Sequence, residues 1–353
     1  MRVLHVDSAR GWRGGQAQVL LSACAMAERG HAVLLACQRG GTLERRARAA
    51  GIDAVAMRFS GDLSPAAWLP LSRATTRFRP DVLQLHDPHA LIAGFVAAGR
   101  ARLVATRRVD FALQGTFSRA KYKRCQRVIA VSRRIADVLR AGGIAPERLR
   151  VVYEGVRDRA AQPGGRETLH ALGVPRGSLV VGNVAALTDH KDHSTLLAAA
   201  AELLKQRADV SFVILGEGEL RAALEAHAAH LGLGARCLFL GFRDDLDALI
   251  PAFDVFCLSS HMEGLGTSLL DAMCFARPVV ATSAGGIPEA VADGISGTLV
   301  PPRDPQALAR ALAALLEGPD RRAAYGAAGR RIFEERFTEA RMVEETLRVL
   351  EEA

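Results

Sequence analysis

Short apolar runs alternate with amphipathic segments along this chain, and that alternation restricts the possible folds more than any other feature. Amphipathic stretches such as 16–30 and 132–143 separate the runs and predict helices. Strands separated by helices indicate parallel βαβ units. The predicted strands are 2–7, 32–37, 81–86, 102–107, 127–132 and 148–155, then 179–185, 210–218, 237–242, 255–260, 278–283 and 296–302. The predicted fold class is therefore α/β, with doubly wound Rossmann-like sheets.

A polar stretch with Pro163, Gly164 and Gly165 interrupts the pattern and predicts a linker, whose later part, RETLHALG, is compatible with a short helix leading into the second domain. The 353 residues also exceed what one ordinary core holds, so two domains are expected. The predicted division is a domain at 1–160, a linker at 161–177, a domain at 178–335 and a C-terminal helix at 336–353. Two such domains in tandem would leave a cleft between facing strand ends, where open α/β sheets bind ligands.

Composition excludes some classes of protein and points to others. The chain has no apolar run near the ~20 residues that span a membrane, and its N-terminus is predicted to be a first strand rather than a signal peptide. The six cysteines form no CxxC pair, which is typical of reduced thiols in a cytoplasmic protein. The pairs His86/His89 and His190/His193 have HxxH spacing but no third ligand on a clear helix, so no metal site is predicted.

Positive charge is concentrated in the first half. Residues 1–160 carry 28 Lys and Arg against 12 Asp and Glu, a formal +16, whereas the remainder carries −8. This asymmetry predicts an anionic partner, either lipid head groups, a phosphorylated acceptor or nucleic acid. Segment 118–127 has five cations around Tyr122 and is either such a patch or a solvated helix face. The alternative is an Arg-rich composition with no functional meaning.

A glycine-rich loop follows the first predicted strand. It contains Gly11, Gly14 and Gly15 but matches neither GxGxxG nor GxxxxGK[ST]. Adjacent glycines would let the backbone approach a ligand, and the helix N-terminus that follows favours anions. The alternative interpretation is an ordinary tight turn between strand and helix.

The stretch HMEGLGTSLLDA, residues 261–272, contains two acids, Glu263 and Asp271, on either side of a predicted turn with two glycines. Glu263 lies on the predicted loop, and Thr267 or Ser268 is the expected N-cap of the following helix. Backbone N–H groups of the first turn would then favour an anion. Asp271 either faces the cleft or closes a capping box with Ser268. A second glycine pair and Pro288, in SAGGIPEAV, predict a similar helix start after the next strand.

The run EGLGTSLLDAMCFARPVVATSAGGIPEAVADGISGTLVPPRD resembles the nucleotide-sugar site of family 4 retaining glycosyltransferases, with their two acids separated by seven residues. The resemblance extends over nearly the whole chain, including RGGQAQVLLSACAMAERGHAV and VILGEGELRAALEAHAAHLGL. It implies the GT-B fold, with two Rossmann-like domains that face each other across a cleft. The first would bind the acceptor, the second the nucleotide sugar, and the C-terminal helix would cross back to the first.

The resemblance also implies roles for single residues. Glu263 would bind hydroxyls of the donor sugar, Lys191 a phosphate, and Asp271 the ribose. The other implied donor-binding residues are Gly14, Gly15, Gly216, Phe242, Arg243, Gly264, Leu265, Gly266, Thr267 and Ser268.

Three positions depart from the family pattern. Asp271 stands where the second glutamate is usual, Ala186 stands where an arginine is usual, and Arg107-Arg108 stands where a histidine is common. A guanidinium binds phosphate well, so Arg108 is the expected replacement cation and, with Glu263 and Lys191, the expected catalytic set. Arg107, Asp110 and His86 are the expected acceptor-binding residues. The alternatives are a solvated strand end for the arginine pair and a solvated or capping role for His86.

The expected function is therefore retaining transfer of a sugar from a nucleotide-diphosphate donor to a glycan or lipid-linked acceptor of the cell envelope. No cofactor, metal or nucleic-acid partner is expected, and the expected location is cytoplasmic, either free or on the inner face of the membrane. The alternatives are another GT-B enzyme of nucleotide sugars, such as an epimerase or phosphorylase, or a non-catalytic binder of sugar nucleotides or nucleic acid.

Overall fold

The computed structural model describes residues 1–59, 65–113 and 115–353. The chain divides into two compact units. Unit 1 comprises Met1–Gly155 together with Glu339–Ala353, and unit 2 comprises Val156–Thr338. No helix within the described ranges is long and apolar enough to cross a membrane.

Unit 1 contains a parallel sheet in the order β3-β2-β1-β4-β5-β6-β7. Its strands are β1 (Arg2–Asp7), β2 (Ala32–Gln38), β3 (Ala54–Met57), β4 (Val82–Leu85), β5 (Arg102–Arg107), β6 (Arg127–Ala130) and β7 (Leu149–Val151). Six of these were predicted from apolar runs. The edge strand β3 was missed, because AVAM is short and only partly buried.

The helices of unit 1 cover both faces of this sheet. They are α1 (Gly14–Glu28), α2 (Thr42–Ala49), α3 (Pro65–Phe78), α4 (Pro88–Ala97), α5 (Gly115–Lys123), α6 (Arg133–Ala141) and the C-terminal α15 (Glu339–Glu351). Alternation along the strands sends Leu4 and Leu83 towards α3, α4 and α5, whereas Val3 and Val82 pack with α1 and α15. Successive side chains of one strand thus serve two separate apolar layers.

Unit 2 contains a parallel sheet in the order β10-β9-β8-β11-β12-β13. Its strands are β8 (Leu179–Val184), β9 (Val210–Leu215), β10 (Cys237–Gly241), β11 (Val255–Leu258), β12 (Val279–Thr282) and β13 (Gly297–Val300). The strand order reverses beside β8, because the chain runs outward from β8 to β10 and then returns to β11. Such a switch point is where open α/β sheets bind their ligands.

The helices of unit 2 include one inside the segment predicted to be a linker. They are α7 (Gly165–Ala171), α8 (His193–Leu204), α9 (Arg221–His230), α10 (Leu246–Leu249), α11 (Thr267–Cys274), α12 (Ile287–Ala290), α13 (Pro305–Glu317) and α14 (Pro319–Arg336). The first of them, α7, packs tightly on α10: a Cβ at Gly165 would lie 1.9 Å from the Ala248 carbonyl oxygen. The polar composition of this segment did not reveal that contact.

Candidate active site

The loop that follows β11 carries the first acid of the pair. The Glu263 carboxylate forms an ion pair with Lys191 Nζ and accepts a hydrogen bond from Ser260 Oγ at 3.1 Å. The side chains of Lys191 and Glu263 are only 17% and 11% exposed, respectively. Ion pairs this sheltered are screened far less than surface pairs, so the two charges hold each other firmly.

Three loops meet around this ion pair, each from the carboxyl end of a strand. Ser259 Oγ donates to the Lys191 carbonyl oxygen at 3.0 Å, which ties the loop after β11 to the loop after β8. The Gly286 N–H donates to the Glu263 carbonyl oxygen at 3.0 Å, which ties in the loop after β12. Because β8, β11 and β12 are neighbours in the sheet, all three loops lie at its carboxyl edge, beside the switch point.

The N-terminus of α11 adjoins the Glu263 loop, and its cap differs from the prediction. The expected Thr267 or Ser268 cap is wrong: Gly266 occupies the N-cap position with φ 93°, and no side chain hydrogen-bonds there. A Cβ at Gly266 would lie 2.8 Å from Leu269 Cδ1. Both this lack of space and the positive φ therefore favour glycine at the position. Gly264 and Leu265, just before it, are buried. The Leu269 N–H donates to the Gly266 carbonyl oxygen at 2.9 Å, whereas the N–H groups of Thr267 and Ser268, at the very start of the helix, point in the direction that favours an anion.

The second acid, Asp271, is held by an arginine rather than by the helix start. Arg159 forms ion pairs with Asp271 and, at 2.7 Å, with Asp247, and its guanidinium lies 5.5 Å from the centre of the Phe275 ring. The capping-box interpretation of Asp271 is thus wrong, since α11 has no side-chain cap. Burial raises the pKa of Asp271 to about 6, against the opposing effect of Arg159.

The turns after β9 and β10 contain the residues assigned to the nucleoside side. Gly216 has φ 144°, and a Cβ there would lie 1.9 Å from the Ala185 carbonyl oxygen, so only glycine fits. The Phe242 ring is 50% exposed. Arg243 binds Asp245 through two hydrogen bonds of 2.8 and 2.6 Å, so much of its hydrogen-bonding capacity is already taken.

In unit 1, the glycine loop adjoins Arg108. Helix α1 begins at Gly14, and a Cβ at Gly15 would lie 3.6 Å from Arg108 Cδ. Arg108 Nε donates to Glu154 Oε1 at 2.8 Å, and its Nη1 lies 3.1 Å from His86 Nδ1. The predicted replacement cation therefore has a carboxylate partner of its own, with both side chains largely sheltered.

Both ring nitrogens of His86 are engaged. Its Nε2 lies 3.0 Å from His5 Nδ1, and the two rings stack with centroids 5.3 Å apart. Arg108 can only donate, so His86 Nδ1 accepts, His86 Nε2–H donates, and His5 Nδ1 accepts. Burial and the nearby Arg108 charge lower the pKa of His5 to about 3 and keep the pKa of His86 well below its usual value. Direct binding of an acceptor by His86, as predicted, would require one of these bonds to break.

Arg107 lies on the opposite face of β5 from Arg108. Its Nη1 donates to Tyr122 Oη at 3.1 Å, its Nη2 donates to the Phe111 carbonyl oxygen, and its side chain is almost fully buried. Tyr122, which the sequence placed among surface cations, is also buried. Arg107 is thus built into the core, which disfavours acceptor binding by it. Asp110, in the following loop, is partly buried.

One buried carboxylate was missed by the sequence analysis. Asp7, the last residue of β1, accepts hydrogen bonds from the Ala9 N–H at 3.0 Å and from Gln16 Nε2. Burial, and secondly the nearby Asp87 charge, raise the pKa of Asp7 to about 6. Its position at the carboxyl end of a central strand, directly before the glycine loop, was the available signal. Among the residues described, no cluster of His, Cys, Asp or Glu is arranged to hold a metal ion.

Comparison with known proteins identifies the family. A model described as "Glycosyl transferases group 1" matches residues 166–332, and one described as "Glycosyltransferase Family 4" matches residues 12–159. A 2-deoxystreptamine glucosyltransferase of Streptomyces kanamyceticus is 31% identical over 72% of this chain and 74% of its own length. The chain belongs to the group 1, family 4 glycosyltransferases.

Other relatives of this glycosyltransferase differ in length and in named substrate. A D-inositol 3-phosphate glycosyltransferase of Corynebacterium urealyticum is 33% identical, and the match spans 68% of this chain but only 59% of the relative. The solved structure of HepE from Anabaena, in complex with UDP and glucose, aligns over 100% of both chains with a TM-score of 0.88 and 23% identity. WaaG, a glycosyltransferase involved in lipopolysaccharide biosynthesis, aligns with a TM-score of 0.75. These likenesses confirm the α/β GT-B fold.

Proposed function

We propose that this glycosyltransferase moves a sugar from a nucleoside-diphosphate donor to a hydroxyl acceptor, with retention at the anomeric carbon. The observation that carries the proposal is the Lys191–Glu263 ion pair beside the N-terminus of α11, at the switch point of unit 2. Such a place offers a cation and backbone N–H groups for a diphosphate, and a carboxylate for sugar hydroxyls. The solved HepE complexes contain UDP and glucose or UDP-glucose, so a uridine donor is the first to test.

The proposed reaction breaks the bond between the anomeric carbon and the phosphate oxygen and forms a bond from that carbon to the acceptor oxygen. The acceptor proton passes to the leaving phosphate. Negative charge grows on the diphosphate in the transition state, so Lys191 and the α11 N–H groups would lower the barrier by meeting that charge. Glu263 would orient the sugar through its hydroxyls. The proposed step requires no metal ion, because Lys191 and the α11 N–H groups supply the positive charge for the leaving diphosphate.

The proposed acceptor is a glycan or lipid-linked sugar, used in building a polysaccharide or lipopolysaccharide at a membrane surface. The formal +16 of residues 1–160 supports an anionic setting. The similar proteins include HepE of Anabaena, a 2-deoxystreptamine glucosyltransferase and WaaG, so their names do not converge on one acceptor.

Donor turnover tests this proposal most directly. The full chain is incubated with UDP-glucose and other UDP-, GDP- and ADP-sugars, and release of free nucleoside diphosphate is followed with and without glycan acceptors. We expect one donor to be consumed by the wild type and spared by Lys191→Ala. Product NMR should show the anomeric configuration of the donor. An inverted product would overturn retention, and binding of nucleotide without any turnover would favour a non-catalytic binder.

A further inference from the structure

A buried amide side chain links the two loops of the candidate site in unit 2. Asn183 lies near the carboxyl end of β8 and is only 1% exposed. The ladder between β8 and β11 pairs Gly182 with Phe256. One residue further along both strands, Asn183 Nδ2 donates to the Cys257 carbonyl oxygen at 2.9 Å. A side chain thus continues the attachment of β8 to β11 at the point where the strand order reverses.

The oxygen of the same amide holds the start of α8. Asn183 Oδ1 lies 3.1 Å from Nε2 of His193, the first residue of that helix, which is equally buried. Because the Cys257 carbonyl oxygen can only accept, the amide nitrogen faces Cys257, and Asn183 Oδ1 accepts the Nε2–H of His193. Nδ1 of this ring meets no hydrogen-bonding partner among the residues described. The bond to Asn183 therefore sets the orientation of the ring.

The His193 ring is neutral in this arrangement. Burial, followed by the charges of Lys191 and His190, lowers the pKa of His193 to about 4. A neutral imidazole carries one proton, and the bond to Asn183 places that proton on Nε2. Near neutral pH the ring is therefore a fixed hydrogen-bond donor and not a proton carrier.

The two hydrogen bonds of Asn183 connect both charged residues of the candidate site. Lys191 lies two positions before His193, and Glu263 lies six positions after Cys257. A shift of the α8 start would therefore move the Lys191 backbone, and a shift of β11 would move the loop that carries Glu263. One amide side chain thus links the placement of both charges.

Three buried hydroxyl groups extend this arrangement. Besides the bonds of Ser259 to the Lys191 backbone and of Ser260 to the Glu263 carboxylate, Thr282 Oγ1 donates to the Ser260 carbonyl oxygen. All three hydroxyl-bearing residues are 0% exposed. Apolar side chains would hold these strands together as well, so this concentration of bonded polar groups indicates a requirement for defined placement.

We propose that Asn183 and His193 are positioning residues that set the Lys191 backbone against the Glu263 loop, at the spacing that a donor diphosphate and its sugar require. Both side chains are buried, so they act through Lys191 and Glu263 and not on the donor itself. A misplacement of about 1 Å near the reacting atoms costs roughly a hundredfold in rate, so such control of spacing matters. The inference rests on the proposed function, which gives Lys191 and Glu263 their roles.

Substitutions of His193 test the positioning role. His193→Leu keeps an apolar side chain in place of the ring but removes the donor, and it should lower kcat with UDP-glucose by roughly tenfold to a hundredfold. His193→Gln places an amide N–H near the position of Nε2 and should restore most of the rate, whereas His193→Asn, one carbon shorter, should not. Measurements of kcat and KM are paired with urea unfolding. Equal kcat values in His193→Leu and the wild type would overturn the proposal.

Ser211→Ala is the matched control for lost stability. Ser211 lies on β9, at the amino edge of the same sheet, is 0% exposed and donates to Ser178 Oγ at 3.1 Å. Its replacement removes a buried hydrogen bond at the edge opposite the candidate site, so it should reduce stability towards urea and leave kcat at the wild-type value. A fall in kcat that follows the loss of stability in both His193→Leu and Ser211→Ala would reduce His193 to a folding role and overturn the proposal.

Binding of UDP keeps this test separate from sugar transfer. If His193 acts through Lys191, His193→Leu should weaken UDP binding several-fold in the wild-type background and leave it unchanged in Lys191→Ala, as calorimetric titration of the four proteins would show. Equal effects in both backgrounds overturn the proposal, even where turnover is normal. Unequal effects without turnover of any donor would support the positioning role and overturn sugar transfer instead. Asn183→Ala, which removes the amide itself, replaces His193→Leu if that variant does not fold.

Discussion

Lys191 and Glu263 neutralise each other at the carboxyl edge of the unit 2 sheet, across 72 residues of sequence. While the pair is intact, the charge of each group is largely compensated by the other. A donor diphosphate would attract Lys191, and the sugar hydroxyls would need Glu263, so donor binding should exchange this pair for two new interactions. Substitutions in the pair should therefore separate binding of free nucleotide from turnover.

Glu263→Gln should lower turnover by roughly two orders of magnitude, the scale of one preorganised polar group. It should leave the affinity for free nucleoside diphosphate unchanged or higher, because Lys191 loses its competing carboxylate. Turnover assays and calorimetric titration with UDP measure the two effects. Glu202→Gln, which removes the carboxylate of an exposed Lys–Glu pair on α8, is the matched control. Weaker UDP binding in Glu263→Gln would contradict the exchange of partners.

Asp271→Asn tests the proposed ribose contact. Wild-type protein should bind UDP more tightly than its deoxyribose analogue, by ~1–3 kcal/mol, the scale of a hydrogen bond to a charged group. Asp271→Asn should remove most of that preference. Asp247→Asn removes the other carboxylate that binds Arg159 and should preserve it. If both variants behave alike, Asp271 serves to hold Arg159 and not the ribose.

Much of this fold could be predicted from apolar periodicity and turn residues. The strands of unit 2 were predicted closely, because buried parallel strands are apolar runs bounded by glycine and proline. The strand β3 was missed because it is a short, half-buried edge. The α7 segment was assigned to a linker, with a short helix as an option, because of its polar composition. Its tight contact with α10 could not be predicted, because that contact depends on residues some eighty positions away.

The candidate site was predictable in its residue types but not in its partners. Glu263 could be placed on a loop by its position after an apolar strand, whereas Lys191 and Gly216 were assigned from the family resemblance, and the predicted strand 210–218 extended past Gly216. Arg159 pairs with Asp271, 112 positions away, and Arg108 pairs with Glu154, 46 positions away. Contacts between residues so far apart in the chain produce no local sequence pattern. The Gly266 cap was missed because Thr267 and Ser268 are strong N-cap residues, and the positive φ of Gly266 moved the cap one position earlier.

The two arginines at the end of β5 should behave differently. Arg108→Ala should lower turnover far more than it weakens UDP binding, whereas Glu154→Gln should preserve turnover, because it leaves Arg108 in place. Arg107→Ala should instead lower the free energy of unfolding by roughly 1–3 kcal/mol, since it leaves the buried Tyr122 hydroxyl and Phe111 carbonyl oxygen unpaired. Turnover and urea unfolding measure the two outcomes. Equal loss of turnover in Arg108→Ala and Glu154→Gln would make the pair structural and not catalytic.

Asp7 should make unit 1 less stable as the pH rises through mildly acidic values. Its pKa is raised from 3.8 to about 6 in the folded protein, first by burial and then by Asp87. Between these two values the folded state holds a proton that the unfolded state releases, so the free energy of unfolding falls as the pH increases. The fall should amount to roughly 2–3 kcal/mol, at ~1.4 kcal/mol per pKa unit, and should level off above about pH 6.

Asp7→Asn removes this titration while its side-chain oxygen can still accept the Ala9 N–H. Urea unfolding at several pH values between 4 and 7 should show a flatter pH dependence in this variant than in the wild type. Asp320→Asn, at an exposed position of α14, should leave the wild-type slope intact. Burial also raises the pKa of Asp271 to about 6, so a residual slope should remain in Asp7→Asn and belong to the unfolding of unit 2. An unchanged slope in Asp7→Asn would show that the Asp7 carboxylate is ionised throughout this range and that its hydrogen bonds outweigh its burial.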